Sequence, residues 1–318
     1  MRIAYGSAMS LRIYTDVDLP AASLRLFEEH DLLRDPADLA TADVAFGQPD
    51  PAVVAASPAI RWLAISSAGY NRYEREDLRA AVADRGLIVT NASGVFDEPC
   101  AQHALAMLLA DRRALPIAAA AQREQLWNGH AIRSASRLLD DETTIAVFGF
   151  GAIARRLVAL LEPFDVQVTG VRRTLSGDEP CGMIEADDAE AIEALLAYSD
   201  VVVNILPAGP GRDGYFNAKR FAQMKPGATY LSIGRGATTE TTALRAALET
   251  GHLSAAWLDV TDPEPLPPGH PLWLTPNCHI TPHTAGGMAE EANVLARHFA
   301  DNLLRFERGE PLRDRVTV

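Results

Sequence analysis

A glycine-rich turn sits between a short apolar run and a helical pattern, an order that few folds accept. Gly149-Phe-Gly-Ala-Ile-Ala154 follows the apolar run 143–148 and opens the apolar-periodic segment 152–161. It fits G-x-G-x-x-G/A. The first glycine allows the tight turn, the second lets backbone approach a pyrophosphate, and the small Ala154 lets helix pack on strand. Free N–H groups at the helix N-terminus suit phosphate oxygens. Further apolar runs follow at 166–171, 201–206, 229–233, 255–260 and 279–281, with helical segments such as 188–198 and 241–250 between most of them. That alternation predicts βαβ units in a parallel, doubly wound sheet of the Rossmann type.

The N-terminal part alternates more weakly. Strands are expected at 2–5, 44–46, 62–66 and 87–90, with a helix such as 21–30 between them. This reads as a second, smaller α/β domain. Asp97-Glu-Pro99 is expected to open a helix running to about Arg112, with Asp97 as cap and Pro99 in the first turn. A second helix is expected over 289–308. These two helices would carry the chain out of the small domain and back into it. The expected division is a discontinuous substrate domain, 1–97 with 287–318, and a dinucleotide-binding domain, 98–286. The cleft between two such domains is a natural ligand site.

Composition narrows the partners. The 318 residues carry a net charge of -13, which argues against a nucleic-acid surface and against a polybasic membrane anchor. An anionic ligand would need its own local positive site. The cysteines Cys100, Cys181 and Cys278 stand far apart with no C-x-x-C pair, so neither a disulfide framework nor a metal site is expected. A reducing, cytoplasmic setting is expected. Met1-Arg-Ile-Ala-Tyr-Gly6 lacks a long apolar region of the signal-peptide kind. The stretches 104–110 and 114–121 are too short to span a bilayer.

Arg235, Glu264 and His283 follow three successive strand-like segments, in Leu231-Ser-Ile-Gly-Arg-Gly236, Leu258-Asp-Val-Thr-Asp-Pro-Glu-Pro265 and Ile280-Thr-Pro-His283. Ligands of open parallel sheets bind outside the carboxyl ends of the strands. A guanidinium, a carboxylate and an imidazole at that edge suit a reaction that binds an anion and moves a proton. About 20 residues after the glycines, NAD-binding domains place an acidic residue for the ribose hydroxyls. Here the segment reads Gly170-Val-Arg-Arg-Thr174, with no carboxylate. Arg172 and Arg173 suit a 2′-phosphate, since each planar fork can donate two hydrogen bonds. NADP(H) is therefore preferred, with NAD(H) possible.

Together these motifs resemble the D-isomer-specific 2-hydroxyacid dehydrogenase family over nearly the whole chain. Leu206-Pro-Ala-Gly-Pro-Gly-Arg-Asp-Gly-Tyr-Phe-Asn217, Met224-Lys-Pro-Gly-Ala228, Arg235-Gly236, Leu258-Asp-Val260, Glu264-Pro265 and Thr281-Pro-His283 follow the glycine loop in the family's order. The resemblance implies a Rossmann sheet plus a flavodoxin-like α/β substrate domain. It implies that Arg235 holds the substrate carboxylate and polarises the keto oxygen. His283 would exchange a proton with that oxygen, and Glu264 would hydrogen-bond the imidazole and favour its charged form. Ser67-Ala-Gly-Tyr70 is similar to the family's substrate loop, so Ala68, Gly69 and Tyr70 become substrate-binding candidates. Cofactor contacts are implied at Gly149, Gly151, Ala152, Ile153, Arg172, Arg173, Leu206, Pro207, Arg212, Ile233 and Asp259, the last near the nicotinamide. Tyr70, Tyr73, Phe96 and Trp273 are candidates for the pocket wall or for packing. His103, His252 and His298 are read as helix or turn residues.

Ser232, Gln102 and Arg212 depart from the residues common in the family, and Arg212 stands beside the expected nicotinamide position. The implied activity is reduction of a small 2-keto acid of the glyoxylate or hydroxypyruvate type by NADPH, giving a D-2-hydroxy acid. A phosphoglycerate-type dehydrogenase using NAD and a non-catalytic, cofactor-sensing corepressor on the same fold are the alternatives. A homodimer is implied, with 115–139 as its interface segment.

Overall fold

The computed structural model describes residues 10–318. The strand expected at 2–5 lies outside them. The chain divides into two compact units, one built from the described part of Met1–Phe96 with Met288–Val318, the other from Asp97–Gly287.

The smaller unit holds β1 (Arg12–Thr15), β2 (Asp31–Leu33), β3 (Val44–Gly47), β4 (Trp62–Ile65) and β5 (Ile88–Thr90). All pair in parallel in the order β2-β1-β3-β4-β5, the flavodoxin-like sequence of strands. A parallel sheet needs cover on both faces, and β3 and β4 are buried along their whole length. The C-terminal helix Glu291–Glu307 covers one face. Its Phe299 stacks on Phe46 with centroids 4.2 Å apart and on Trp62 at 5.1 Å. That stacking returns the chain's end to its beginning.

The larger unit holds β6 (Thr144–Phe148), β7 (Gln167–Arg172), β8 (Gly182–Glu185), β9 (Val201–Asn204), β10 (Ala228–Ser232), β11 (Leu253–Leu258) and β12 (Cys278–Ile280). They form a parallel sheet in the order β12-β11-β10-β9-β6-β7-β8. Strand order reverses between β6 and β9, the switch point at which doubly wound sheets open a ligand crevice. The core on one face gathers Phe148, Phe216, Phe221, Tyr230, Leu244 and Leu258. The helix Ser93–Arg112 is tied to this sheet by Asp111, which accepts from Thr229 Oγ1 on β10 at 2.9 Å and from Trp257 Nε1 on β11 at 3.2 Å.

Several local expectations are corrected. The helix reaching Arg112 begins at Ser93, so Asp97 and Pro99 lie inside it, and the Asp97 carboxylate accepts the N–H of the adjacent Glu98. The expected helix 21–30 is a short helix, Ala21–Leu24, followed by a 3₁₀ turn, Arg25–Phe27. The run 201–206 leaves the sheet after Asn204. The strands β1, β2 and β8 are additions to the expected set. No helix among the described residues is long and apolar enough to cross a membrane.

Candidate active site

The neighbouring strands β10, β11 and β12 bring Arg235, Glu264 and His283 to one sheet edge, because each residue follows the C-terminal end of its strand. The turn after β10 is held tightly. A Cβ on Gly236 would stand 1.8 Å from the Thr261 carbonyl oxygen, so only glycine lets this turn lie against the backbone leading to Glu264. The Arg235 carbonyl accepts from Thr238 Oγ1 at 2.6 Å, and Thr238 Oγ1 accepts from the buried Asn204 amide at 2.8 Å. Asn204 also accepts from the Leu206 N–H at 3.0 Å. One buried amide thus links the loops after β9 and β10. The Arg235 guanidinium donates to the Gly234 carbonyl at 2.8 Å.

His283 Nδ1 is hydrogen-bonded to Glu264 Oε1. The two side chains are 45% and 40% exposed, so both remain reachable from solvent. Nε2 of His283 has no protein partner among the described residues. The backbone of His283 lies in the left-handed region, φ 52°, which costs an L-residue about 1–2 kcal/mol. It is held there because its N–H donates to the Asp259 carbonyl at 2.8 Å. The side chain of Asp259, a residue 2% exposed, fixes what surrounds His283. Its Oδ1 accepts from Thr281 Oγ1 at 2.6 Å and from the Thr284 N–H at 2.9 Å, and its Oδ2 from the Ala285 N–H at 3.0 Å. His103 Nε2 lies 3.0 Å from Thr281 Oγ1 and 3.6 Å from Asp259 Oδ1. On the same helix, burial first, then Asp259, pushes the Cys100 thiol up to about 12, against the pull of Arg235.

At the switch point the glycine loop is built to receive phosphate. Gly149 has φ +91°, and a Cβ there would stand 2.7 Å from the Ile205 carbonyl oxygen. A Cβ on Gly151 would meet nothing within 4 Å, so this backbone is open to approach. Gly151 caps the helix Ala152–Leu161, and the free N–H groups of its first turn, including Ala152 and Ile153, point out of the helix end. These features fit the pyrophosphate of a dinucleotide. Leu206 and Pro207 flank the same point after β9. Ile233, 5% exposed, and Asp259 face inward, so they offer a ligand backbone more than side chain. Arg212 folds onto its own loop, Nη2 donating to the Ala208 carbonyl at 3.0 Å.

The end of β7 differs from the expectation of arginines with no carboxylate nearby. Arg172 Nη1 lies 3.2 Å from Glu179 Oε1 and donates to Ser176 Oγ at 3.1 Å. Arg173 is exposed and makes no ion pair or side-chain hydrogen bond among the described residues.

In the smaller unit, Ala68, Gly69 and Tyr70 follow β4. Gln48 donates to Ser67 Oγ at 2.9 Å, Asn91 Nδ2 to the Ala68 carbonyl at 2.7 Å, and Ser67 Oγ to the Gly69 carbonyl at 2.7 Å. The carbonyls are thereby occupied, while the N–H groups of Ala68, Gly69 and Tyr70 have no acceptor among the described residues. Tyr73 is a core residue, 0% exposed, with its hydroxyl on the Pro49 carbonyl at 3.0 Å. Trp273 is 45% exposed.

The profile of the D-isomer specific 2-hydroxyacid dehydrogenase NAD binding domain matches residues 105–285. The chain belongs to the D-isomer-specific 2-hydroxyacid dehydrogenase family. It is an enzyme of the NAD(P)-dependent class. It is 31% identical over 262 residues to a glyoxylate reductase/hydroxypyruvate reductase of Mus musculus, covering 81% of this chain and 77% of that one. It is 31% identical over 276 residues to a D-3-phosphoglycerate dehydrogenase of Mycobacterium bovis, covering 85% of this chain and 49% of that one. Among solved structures, a family member from Xanthobacter autotrophicus Py2 in complex with NADPH and MES aligns with a TM-score of 0.80 at 27% identity, over 96% of this chain and 98% of that one.

Within this 2-hydroxyacid dehydrogenase, sequence reasoning passed over Gln48, Asn91 and Glu179, read His103 only as a helix or turn residue, and quoted Thr281 in a motif without a role for its side chain. Each works through a side-chain hydrogen bond to a residue distant in sequence or across a loop, which no periodicity announces. The segment 115–139 folds as the helices Leu115–Arg123 and Gly129–Ala135 with flanking loops. It exposes Leu115, Ile117, Leu126, Trp127 and Leu138.

Proposed function

We propose that the enzyme reduces a small 2-keto acid of the glyoxylate or hydroxypyruvate type to a D-2-hydroxy acid, with NADP(H) preferred over NAD(H). The observation that carries this reading is the Glu264–His283 pair at the edge of the sheet that also carries the glycine loop. Arg235 is the group for the substrate carboxylate, where its planar fork gives two parallel hydrogen bonds. With Nδ1 engaged by Glu264, Nε2 is the nitrogen left to pass a proton to the keto oxygen. The reduced cofactor, when bound, supplies the hydride to the carbonyl carbon. Glu264 holds the ring in the orientation that aims Nε2, a positioning that the left-handed backbone of His283 also serves.

The cofactor preference rests on Arg172 and Arg173 at the end of β7, where the adenosine ribose of a dinucleotide lies. A second reading, oxidation of 3-phosphoglycerate with NAD, is favoured by the mycobacterial relative. The exposed apolar side chains between Leu115 and Leu138 support a second copy of this chain as partner, and sedimentation of the purified enzyme reads that state directly.

Three kinetic measurements test the reading. In a panel of 2-keto acids assayed with both cofactors, glyoxylate or hydroxypyruvate is expected to give the highest kcat/KM. Activity confined to 3-phosphohydroxypyruvate would select the second reading instead. His283→Ala should lower turnover at least about a hundredfold, the lower end of general acid catalysis. Turnover near the parental value with an intact fold would remove His283 from the mechanism. Arg172→Asp should lower kcat/KM for NADPH by about tenfold or more, the size of one charge-assisted contact, and change NADH little. A preference that does not move would leave Arg172 outside the cofactor site.

A further inference from the structure

The place after β7 proposed for a 2′-phosphate is a built anion site, and the chain seats an anion of its own in it. Glu179 accepts from the Ser176 N–H at 2.6 Å, from Ser176 Oγ at 2.7 Å and from the Gly177 N–H at 2.8 Å. Arg172 Nη1 adds a cation at 3.2 Å. Two successive backbone N–H groups, a hydroxyl and a guanidinium around one carboxylate are the donor set that a phosphate monoester takes. Gly177 makes the arrangement possible. Its φ of +83° lies in the left-handed region, which turns consecutive N–H groups to one side. The Glu179 side chain is only 6% exposed, although the loop around it is open to solvent. Its carboxyl is held down at about 2, first by the Ser176 N–H, so the occupant is an anion throughout the neutral range.

The site adjoins the glycine loop. Phe148 and Val171 are register partners of β6 and β7, and the Gly149 N–H donates to the Val171 carbonyl at 3.0 Å. The loop also has an anchor independent of Glu179. Arg155, on the helix that follows the glycines, donates to Asp178 Oδ1 at 2.8 Å, to the Asp178 carbonyl at 3.1 Å and to Ser176 Oγ at 3.1 Å. The carboxylate can therefore swing out while the backbone that held it stays.

We propose that Glu179 is an internal competitor for the 2′-phosphate of NADP(H), and that its displacement sets how strongly the enzyme discriminates between NADP(H) and NAD(H). A cofactor without the 2′-phosphate leaves Glu179 on Arg172, Ser176 and Gly177. A cofactor with it must expel the carboxylate, since two anions cannot share one donor set. Glu179 thus weakens NADP(H) selectively, and the arginine pair alone overstates the preference. The inference rests on the reading of the β7 end as the adenosine end of the cofactor site.

Calorimetric titration of the parent, Glu179→Gln and Glu179→Ala with 2′,5′-ADP and with 5′-ADP tests it, without turnover. Both variants should bind 2′,5′-ADP at least about tenfold more tightly than the parent, the scale of one charge-assisted contact. Affinity for 5′-ADP should be unchanged, which also reports an intact fold in each variant. If both nucleotides bind and the variants match the parent for 2′,5′-ADP, the competitor role is wrong while the cofactor reading stands. If neither nucleotide binds the parent, the cofactor reading itself falls and the inference with it.

Discussion

The Asp259 carboxylate is the interaction on which the candidate active site depends. It is buried at the end of β11 and accepts from Thr281 Oγ1 and from the N–H groups of Thr284 and Ala285. A buried carboxylate without partners is very costly, and the loop after β12 supplies them. The constraint runs both ways, because the loop has no regular structure of its own. With Thr281, Thr284 and Ala285 held, the residue between them must follow, and His283 is driven into a left-handed conformation. Strain of this kind persists only where surrounding contacts over-determine it. His103 extends the network to the helix Ser93–Arg112, through Thr281.

Around that pin, the sheet edge is assembled by close backbone contact rather than by bulky side chains. Cβ atoms at Gly149 and Gly234 would stand 2.7 and 2.5 Å from the carbonyl oxygens of Ile205 and Leu206, and one at Gly236 still closer to Thr261. The loops after β6, β9, β10 and β11 are therefore packed backbone to backbone. A methyl group at any of these glycines would push neighbouring loops apart. The Asn204 amide performs by hydrogen bonding what the glycines permit by their size, tying Thr238 and Leu206 to the end of β9. Such a rigid edge can hold reacting groups in fixed orientation, which is where much of the rate of an orientation-dependent reaction arises.

Much of this was legible in the sequence, for identifiable reasons. The strands β6, β9, β10 and β11 are apolar runs flanked by turn residues, because a central parallel strand is buried on both faces. The helix Ala152–Leu161 followed from its amphipathic pattern after the glycine turn. The strands β1, β2 and β8 did not show, although the edge strands β5 and β12 did. β8 reads Gly182–Glu185 and β2 only Asp31–Leu33, too short and too exposed for a periodic signal. The helix N-terminus at Ser93 was missed because Asp97 and Pro99 imitate a cap and a first turn, although tertiary packing extends the helix past them. The Glu264–His283 contact was anticipated from motif order, whereas the Arg172–Glu179 pair was not, since only the fold of the 173–179 loop brings that carboxylate back to the strand end.

The central claim is that Asp259 sustains turnover by holding the loop that carries His283. Hydrogen exchange at the Thr284 and Ala285 amides, read beside turnover in Asp259→Asn, tests it most directly. The amide side chain must present a donor where one of the N–H groups now finds an acceptor. Both amides should lose protection, and turnover should fall in step. Turnover lost with both amides still protected, or protection lost with turnover intact, would contradict the account.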